Sequence, residues 1–132
     1  MIFVDTSFWI ALTAARDARH DDAVQLLRRH GGEPLVTSTQ VRGETWTFIR
    51  RRYGHPMALT FLDTLQRTRR VGMVFVNQEI EEQALGWLRR HDERAYSFVD
   101  ATSFALMRSL RVTRALAFDE DFAAAGFEQL RA

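Results

Sequence analysis

The sequence predicts an α/β protein with a central parallel sheet of four to five strands and helices on both faces. Short apolar segments alternate with longer amphipathic segments along the whole chain. Strands that alternate with helices are typical of parallel sheets, because each crossover lays a helix against the sheet. The chain has 132 residues, with no repeat and no low-complexity linker, which favours one domain over residues 1–132.

The predicted strands are short and apolar. They are MIFV at 1–4, PLVTS at 34–38, GMVFVN at 72–77 and RALAF at 114–118, with FEQL at 127–130 as a candidate edge strand. The first of them has no polar side chain, which favours a strand buried on both faces of the sheet.

Six longer segments predict helices. They are FWIALTAA at 8–15, HDDAVQLLRRHGG at 20–32, TQVRGETWTFIRRRYG at 39–54, PMALTFLDTLQRT at 56–68, QEIEEQALGWLRRH at 78–91 and SFVDATSFALMRSLR at 97–111. Apolar stripes at helical spacing, a proline in one first turn and acids before bases in another support them. The segment DEDFAAAG at 119–126 predicts a short helical turn.

The composition excludes several kinds of chemistry. No cysteine is present, which rules out disulfides, thiolate zinc sites and cysteine nucleophiles. All 18 basic residues are arginine, which rules out a catalytic lysine. The formal net charge of +1 is weak evidence for nucleic-acid binding. No apolar run reaches the ~20 residues of a membrane span, and the N-terminus does not resemble a signal peptide, so we expect a cytoplasmic protein.

Acidic residues recur at the carboxyl ends of the predicted strands. Asp5 follows the first strand, Asp119 follows the fourth, and Asp121 comes two residues later. Glu44 and Asp100 lie among apolar residues in the first turns of two helices. Because ligands of parallel α/β sheets bind beyond the carboxyl ends of the strands, we expect these acids to share one edge.

Each acid also has a purely structural interpretation. Asp5 and Asp119 could cap the helical segments that follow them. Asp100 completes a capping-box pattern with Ser97. Glu44 could be ordinary surface charge. None of these interpretations explains why the acids fall at the same predicted edge.

Four blocks of the sequence together resemble PIN-domain nucleases, in particular the VapC-type ribonuclease toxins. The blocks are FVDTSFWIAL at 3–12, VRGETWTFIRRRYG at 41–54, SFVDATSFALMRSL at 97–110 and LAFDEDFAAAGFEQL at 116–130. The resemblance implies a PIN-like fold and a metal-dependent endoribonuclease that leaves 5′-phosphate and 3′-hydroxyl ends. It also implies a homodimer inhibited by an antitoxin protein.

The resemblance assigns roles to individual residues. It places the four catalytic acids on Asp5, Glu44, Asp100 and Asp119, with Asp121 able to share or replace the last. All-oxygen ligands suit Mg²⁺ or Mn²⁺. We expect Asp5 and Asp100 to bind the metal directly. Glu44 and Asp119 would hold metal-bound waters or a second ion.

Substrate binding is predicted from hydroxyl groups and arginines near the acids. The expected residues are Thr6, Ser7, Arg42 and Arg50, the last of which begins an arginine run at 50–52, two helical turns after Glu44. Guanidinium groups suit phosphate because they are planar and permanently charged.

Two other functional classes are consistent with parts of the sequence. Aspartyl-phosphate enzymes of the haloacid-dehalogenase type and response-regulator receivers also end an apolar strand with Asp. The former usually have a second Asp where this chain has Ser7, and both usually use a lysine, which this chain lacks. A non-catalytic PIN-fold module that binds RNA or a partner protein is the main alternative.

Overall fold

The computed structural model describes residues 1–68 and 70–132, which form a five-stranded sheet with helices around it. The strands are β1 Ile2–Val4, β2 Leu35–Ser38, β3 Val71–Val74, β4 Arg114–Leu116 and β5 Glu128–Gln129. Their order across the sheet is β3-β2-β1-β4-β5, and every neighbouring pair is parallel. The predicted parallel sheet is therefore confirmed.

The helices follow the predicted segments closely. They are α1 Thr6–Thr13, α2 His20–Arg29, α3 Thr39–Tyr53, α4 His55–Arg67, α5 Gln78–Arg90, α6 Phe98–Leu110 and the short α7 Asp121–Ala124. All five strands are shorter than the predicted segments, and β3 also begins one residue earlier, at Val71. β3 ends at Val74 opposite Ser38, and β4 ends at Leu116 opposite Val4, because the partner strand ends there.

The helices cover both faces of the sheet, as predicted. Right-handed crossovers between parallel strands place α1 to α4 on one face and α5 to α7 on the other. The packing agrees, since α1 contacts α2, α3 and α4, whereas α5 packs on α6, and the two groups meet where α3 contacts α6. Among the described residues, no helix has the length and apolar character needed to span a membrane.

The hydrophobic core is centred on β1, which is buried completely. Ile2, Phe3 and Val4 are all inaccessible to solvent. On one side, Phe3 stacks on Phe122 with the ring centroids 6.1 Å apart, and Phe122 in turn packs edge-on against Phe104 at 5.0 Å. Burial of such side chains stabilises the fold by about 1.5–3 kcal/mol each. The central strand is thus held rigidly, together with the residue that follows it.

The strand order reverses between β1 and β4. From β1 the chain moves outward to β2 and β3, then returns to β4 on the other side of β1. The adjacent helices therefore leave a crevice at the carboxyl ends of β1 and β4, where ligands bind in open α/β sheets.

Candidate active site

Four carboxylates meet where β1 and β4 end. They are Asp5, Asp100, Asp119 and Asp121. One carboxylate oxygen from each of Asp100, Asp119 and Asp121 lies within 4.8 Å of the other two. Asp5 lies beside them, near enough to Asp119 for the charge of Asp119 to raise the pKa of Asp5. We call these four residues the acidic cluster.

Asp5 is held at the cluster by the end of β1 and the start of α1. Its backbone N–H donates to the carbonyl oxygen of Leu116 at 3.0 Å, which ties it to β4. Its Oδ2 accepts hydrogen bonds from the N–H and the hydroxyl of Ser7, at 3.1 and 2.8 Å. Asp5 is therefore the N-cap of α1, and capping leaves Oδ1 for other contacts.

Asp100 belongs to the first turn of α6, where it forms the predicted capping box with Ser97. The Ser97 hydroxyl accepts from the Asp100 N–H at 2.9 Å, and Asp100 Oδ2 accepts from the Ser97 N–H at 3.0 Å. The box fixes the carboxyl group at the helix N-terminus. Capping and membership of the acidic cluster are therefore compatible, because a carboxylate has two oxygens.

Asp119 and Asp121 come from the turn that leads into α7. Asp119 Oδ1 accepts from the Asp121 N–H at 3.1 Å, which is a local turn contact. Asp121 forms a salt bridge with Arg94, whose Nε and Nη2 both lie 2.9 Å from its Oδ1. The two Asp residues that compete for the fourth acidic position thus differ in their surroundings. Asp121 has a cationic partner, whereas Asp119 faces Asp5.

Burial and mutual repulsion raise the pKa of three carboxyls of the cluster, those of Asp5, Asp100 and Asp119. Asp5 is 2% exposed and Asp100 is 8% exposed. Desolvation raises the pKa of Asp5 well above its usual value, and the nearby Asp119 raises it further. Desolvation also raises the pKa of Asp100, to about 6, and that of Asp119. Such carboxyls are stabilised either by taking up protons or by a cation of high charge.

Glu44 stands to one side of the cluster. It is exposed on α3 and lines an open groove of about 960 Å³, which also touches Val99, the residue before Asp100. Of the four acids assigned by resemblance, the structure brings Asp5, Asp100 and Asp119 into mutual proximity. Glu44 lies on the wall of this groove, whose lining includes no residue of the acidic cluster, and its role stays a prediction.

The predicted substrate-binding residues fall in different places. Ser7 has a structural role in the site. Its hydroxyl donates a hydrogen bond to Asp5 and accepts one from the Phe118 N–H at 3.0 Å. Thr6 is buried, and within the described ranges its hydroxyl has no hydrogen-bond partner.

The two predicted arginines do not face the acidic cluster together. Arg42 lines a separate cavity between α4 and β3, because it lies two residues, or about 200°, around α3 from Glu44. Arg50 is exposed on α3 and is absent from the lining of the Glu44 groove. Arg51 and Arg52 line the groove instead.

Sequence reasoning missed Arg94, the cation that pairs with Asp121. It lies in the loop between α5 and α6, 27 residues before its partner. No local pattern marks such a contact. Arg51 belongs to the predicted arginine run at 50–52, and it shares a helix face with Glu44 because it lies seven residues after it.

Comparison with known proteins supports the resemblance to PIN-domain nucleases. A family model described as "PIN domain" matches residues 2–128. The chain belongs to the PIN-domain family. The predicted PIN-like fold and the predicted family are therefore confirmed.

Two relatives from Mycobacterium tuberculosis strains are called "23S rRNA-specific endonuclease VapC20". Each is 52% identical to this PIN domain over 132 residues, covering 99% of this chain and 98% of the relative. A crystal structure of M. tuberculosis VapC20, described as a sarcin–ricin loop cleaving toxin, matches with a TM-score of 0.93 and 50% identity over the whole of both chains.

A more distant structure shows how widely the fold is shared. A toxin–antitoxin complex from Klebsiella pneumoniae matches with a TM-score of 0.68 at 16% identity, covering 96% of this chain and 93% of the other. At that identity the likeness concerns the fold alone.

Proposed function

We propose that this PIN domain is a metal-dependent endoribonuclease, the toxin of a toxin–antitoxin pair, and that it cleaves the sarcin–ricin loop of 23S rRNA. The observation that carries the proposal is the acidic cluster at the carboxyl ends of β1 and β4. Full-length identity of 52% to a protein named as a 23S rRNA-specific endonuclease supports the choice of RNA.

The residues of the cluster fit a hard divalent cation. They offer only oxygen donors, which suits Mg²⁺ or Mn²⁺. Burial and mutual repulsion raise the pKa values of Asp5, Asp100 and Asp119, and a bound cation would offset both effects, while Arg94 forms its salt bridge with Asp121. Asp100, Asp119 and Asp121 would hold the ion, with Asp5 beside Asp119. When bound, such an ion neutralises phosphate charge and lowers the pKa of a coordinated water.

The chain's own side chains would prepare the site for hydrolysis. Ser7 and the capping box keep one oxygen of Asp5 and one of Asp100 in fixed positions. Arg94 fixes Asp121 and offers positive charge at the edge of the cluster. In the proposed reaction, water attacks the phosphorus in line and the bond to the 3′ oxygen breaks. The 3′ oxygen leaves with a proton, and the other fragment keeps a 5′-phosphate.

The test is cleavage of a synthetic sarcin–ricin stem-loop RNA by the purified full-length chain. We expect cleavage with Mg²⁺ or Mn²⁺, none with a chelator, and a loss of at least about a hundredfold in Asp5→Asn and in Asp100→Asn, as expected when charge stabilisation is removed. Asp63→Asn is the matched control, because Asp63 is an exposed carboxylate on α4 outside the cluster. Undiminished cleavage in both cluster variants would reject the site.

The same variants test the toxin role. Induced expression in bacteria should arrest growth, whereas folded Asp100→Asn should not. Co-expression of a cognate antitoxin should relieve the arrest and co-purify with the toxin. Equal growth with the wild type and Asp100→Asn would favour the non-catalytic PIN-fold module instead. We place the protein in the cytoplasm, with its ribosomal substrate, and expect a homodimer, which its elution volume would reveal.

A further inference from the structure

We propose that the groove along α3 is the subsite for unpaired RNA next to the scissile phosphate, where Arg51 binds a phosphate and Phe48 stacks on a base. This inference rests on the proposed ribonuclease function and adds the residues that would select the strand. The groove is lined by Gly43, Glu44, Phe48, Arg51 and Val99, among others. Its volume, about 960 Å³, lies in the range of ligand sites.

The groove borders the first turn of α6, which carries Asp100 of the acidic cluster. Val99 contributes to its wall and is followed directly by Asp100. Gly43, Glu44, Thr47 and Arg51 lie at helical spacing, so they form one stripe along α3. Arg51 is two turns from Glu44, about 10 Å along the helix axis. A strand with its scissile phosphate at the cluster could therefore extend along this stripe.

The side chains of the groove combine the two chemistries that single-stranded RNA offers. Arg51 is exposed, and within the described part of the chain it forms no ion pair. Phe48 is 43% exposed, so its ring is accessible to a ligand in the groove. Guanidinium groups bind phosphate, and aromatic faces stack on bases that are not paired. An RNA loop presents both groups together.

Gly43 supplies an independent observation. It lies within α3, where glycine lowers helix stability relative to alanine. A Cβ built at this position would meet no atom within 4 Å, so packing within the chain does not require glycine. Because the bare position lines the groove, we infer that it leaves room for the RNA itself.

This assignment predicts opposite effects of Gly43→Ala on stability and on activity. The melting temperature should rise by roughly 2–5 °C, because alanine favours the helix. The kcat/KM for the stem-loop RNA should fall by about tenfold, as expected when a close contact is blocked. Gly86→Ala is the matched control, since Gly86 lies within α5 outside the groove and its added Cβ would make an ordinary 3.5 Å contact. It should be more stable and equally active.

Arg51→Ala and Phe48→Ala separate the two chemistries. In the cleavage-deficient Asp100→Asn background, Arg51→Ala should weaken RNA binding and reduce the slope of log Kd against log salt by about 0.7, the value for one phosphate contact on a single strand. Phe48→Ala should weaken binding by about tenfold with no change in slope. Arg28→Ala is the control, because Arg28 is exposed at the end of α2, which leads to the opposite edge of the sheet.

The activity of the wild type shows whether a negative result bears on the groove assignment alone or also on the ribonuclease function. If the wild type cleaves RNA and the Gly43, Phe48 and Arg51 variants cleave and bind it equally well, the groove assignment is wrong and the ribonuclease function stands. If these variants change only the elution volume or antitoxin binding, the groove is a protein interface and the assignment is again wrong. If the wild type cleaves no RNA, both proposals fail.

Discussion

At the scale of single residues, one side chain often has a structural and a chemical role at once. Asp5 caps α1 and Asp100 completes a capping box, yet both carboxyls lie in the acidic cluster. Local hydrogen bonds alone would lower their pKa values, but burial and neighbouring acids outweigh those bonds. Patterns such as Ser97-x-x-Asp100 thus identify a helix start correctly without excluding a functional site.

Neutralising Asp100 should stabilise the metal-free protein at neutral pH. The pKa of Asp100 is raised to about 6, above the ~3.9 of an unfolded chain. Between these values the folded state binds more protons than the unfolded state, so this group's contribution to stability falls as the pH rises. With a chelator present, Asp100→Asn should therefore melt at a higher temperature than the wild type at pH 7.5. The difference should shrink towards pH 4.

Thermal melts across this pH range check the prediction. Asp63→Asn serves again as the control, and its melting temperature should stay close to that of the wild type across this range. A lower melting temperature for Asp100→Asn at pH 7.5 would contradict the claim that burial and repulsion destabilise the ionised carboxyl. Added Mg²⁺ should raise the melting temperature of the wild type, because ligand binding to the folded state stabilises it, and should raise that of the variant much less.

At the scale of elements, α3 and α4 are joined by a single residue with an unusual backbone. Gly54 ends α3 and precedes α4, with φ of 97° and ψ of 171°. This region of φ/ψ space is essentially confined to glycine. The sequence suggested a helix end at Gly54 and a helix start near Pro56, and the structure has both. The angle between the two helices depends on this one residue, and α3 carries Glu44 and its groove.

Gly54→Ala should destabilise the protein by about 1–3 kcal/mol, since a Cβ is strained at this φ. The nearest atom to the added Cβ is 3.8 Å away, so the loss would come from backbone strain and not from a clash. Urea denaturation measures the change. Gly32→Ala is a control at an exposed turn with open space around its Cβ. Equal stability of the two variants would contradict the strain argument.

At the scale of the whole molecule, the two edges of the sheet have opposite electrostatic character. At the carboxyl edge, acids lie together and their pKa values rise. At the amino edge, Glu33 pairs with Arg114 at the start of β4 and with His30, which lower its pKa to about 2. The amino edge therefore favours an ionised carboxylate, whereas the carboxyl edge opposes one.

Glu33→Gln should reduce stability at neutral pH without changing RNA cleavage. The pKa of Glu33 is lowered from an ordinary value near 4.3, so its contribution is present above that pH and is lost as the pH falls towards 2. The melting temperature should fall by a few degrees, about 1–4 °C, as expected for an exposed pair. The loss should vanish near pH 2. A change of cleavage rate beyond about twofold would show that the two edges are coupled.

The sequence predicts most of this architecture because the elements follow local rules. Apolar runs, helix caps and Gly54 mark where strands and helices begin and end, and the carboxyl-edge rule places Asp5 and Asp119 together. Contacts between distant segments are not encoded locally. The pairing of Arg94 with Asp121, which joins residues 27 positions apart, is such a contact.

The buried acids at the carboxyl edge have an evolutionary consequence. Because they oppose folding in the absence of a cation, a laboratory selection for thermal robustness alone should replace them early, with asparagine the simplest substitute. Libraries selected for thermal stability without selection for toxicity would then accumulate variants that are more stable and catalytically inactive. Only a selection that also rewards RNA damage would keep aspartate at positions 5, 100 and 119.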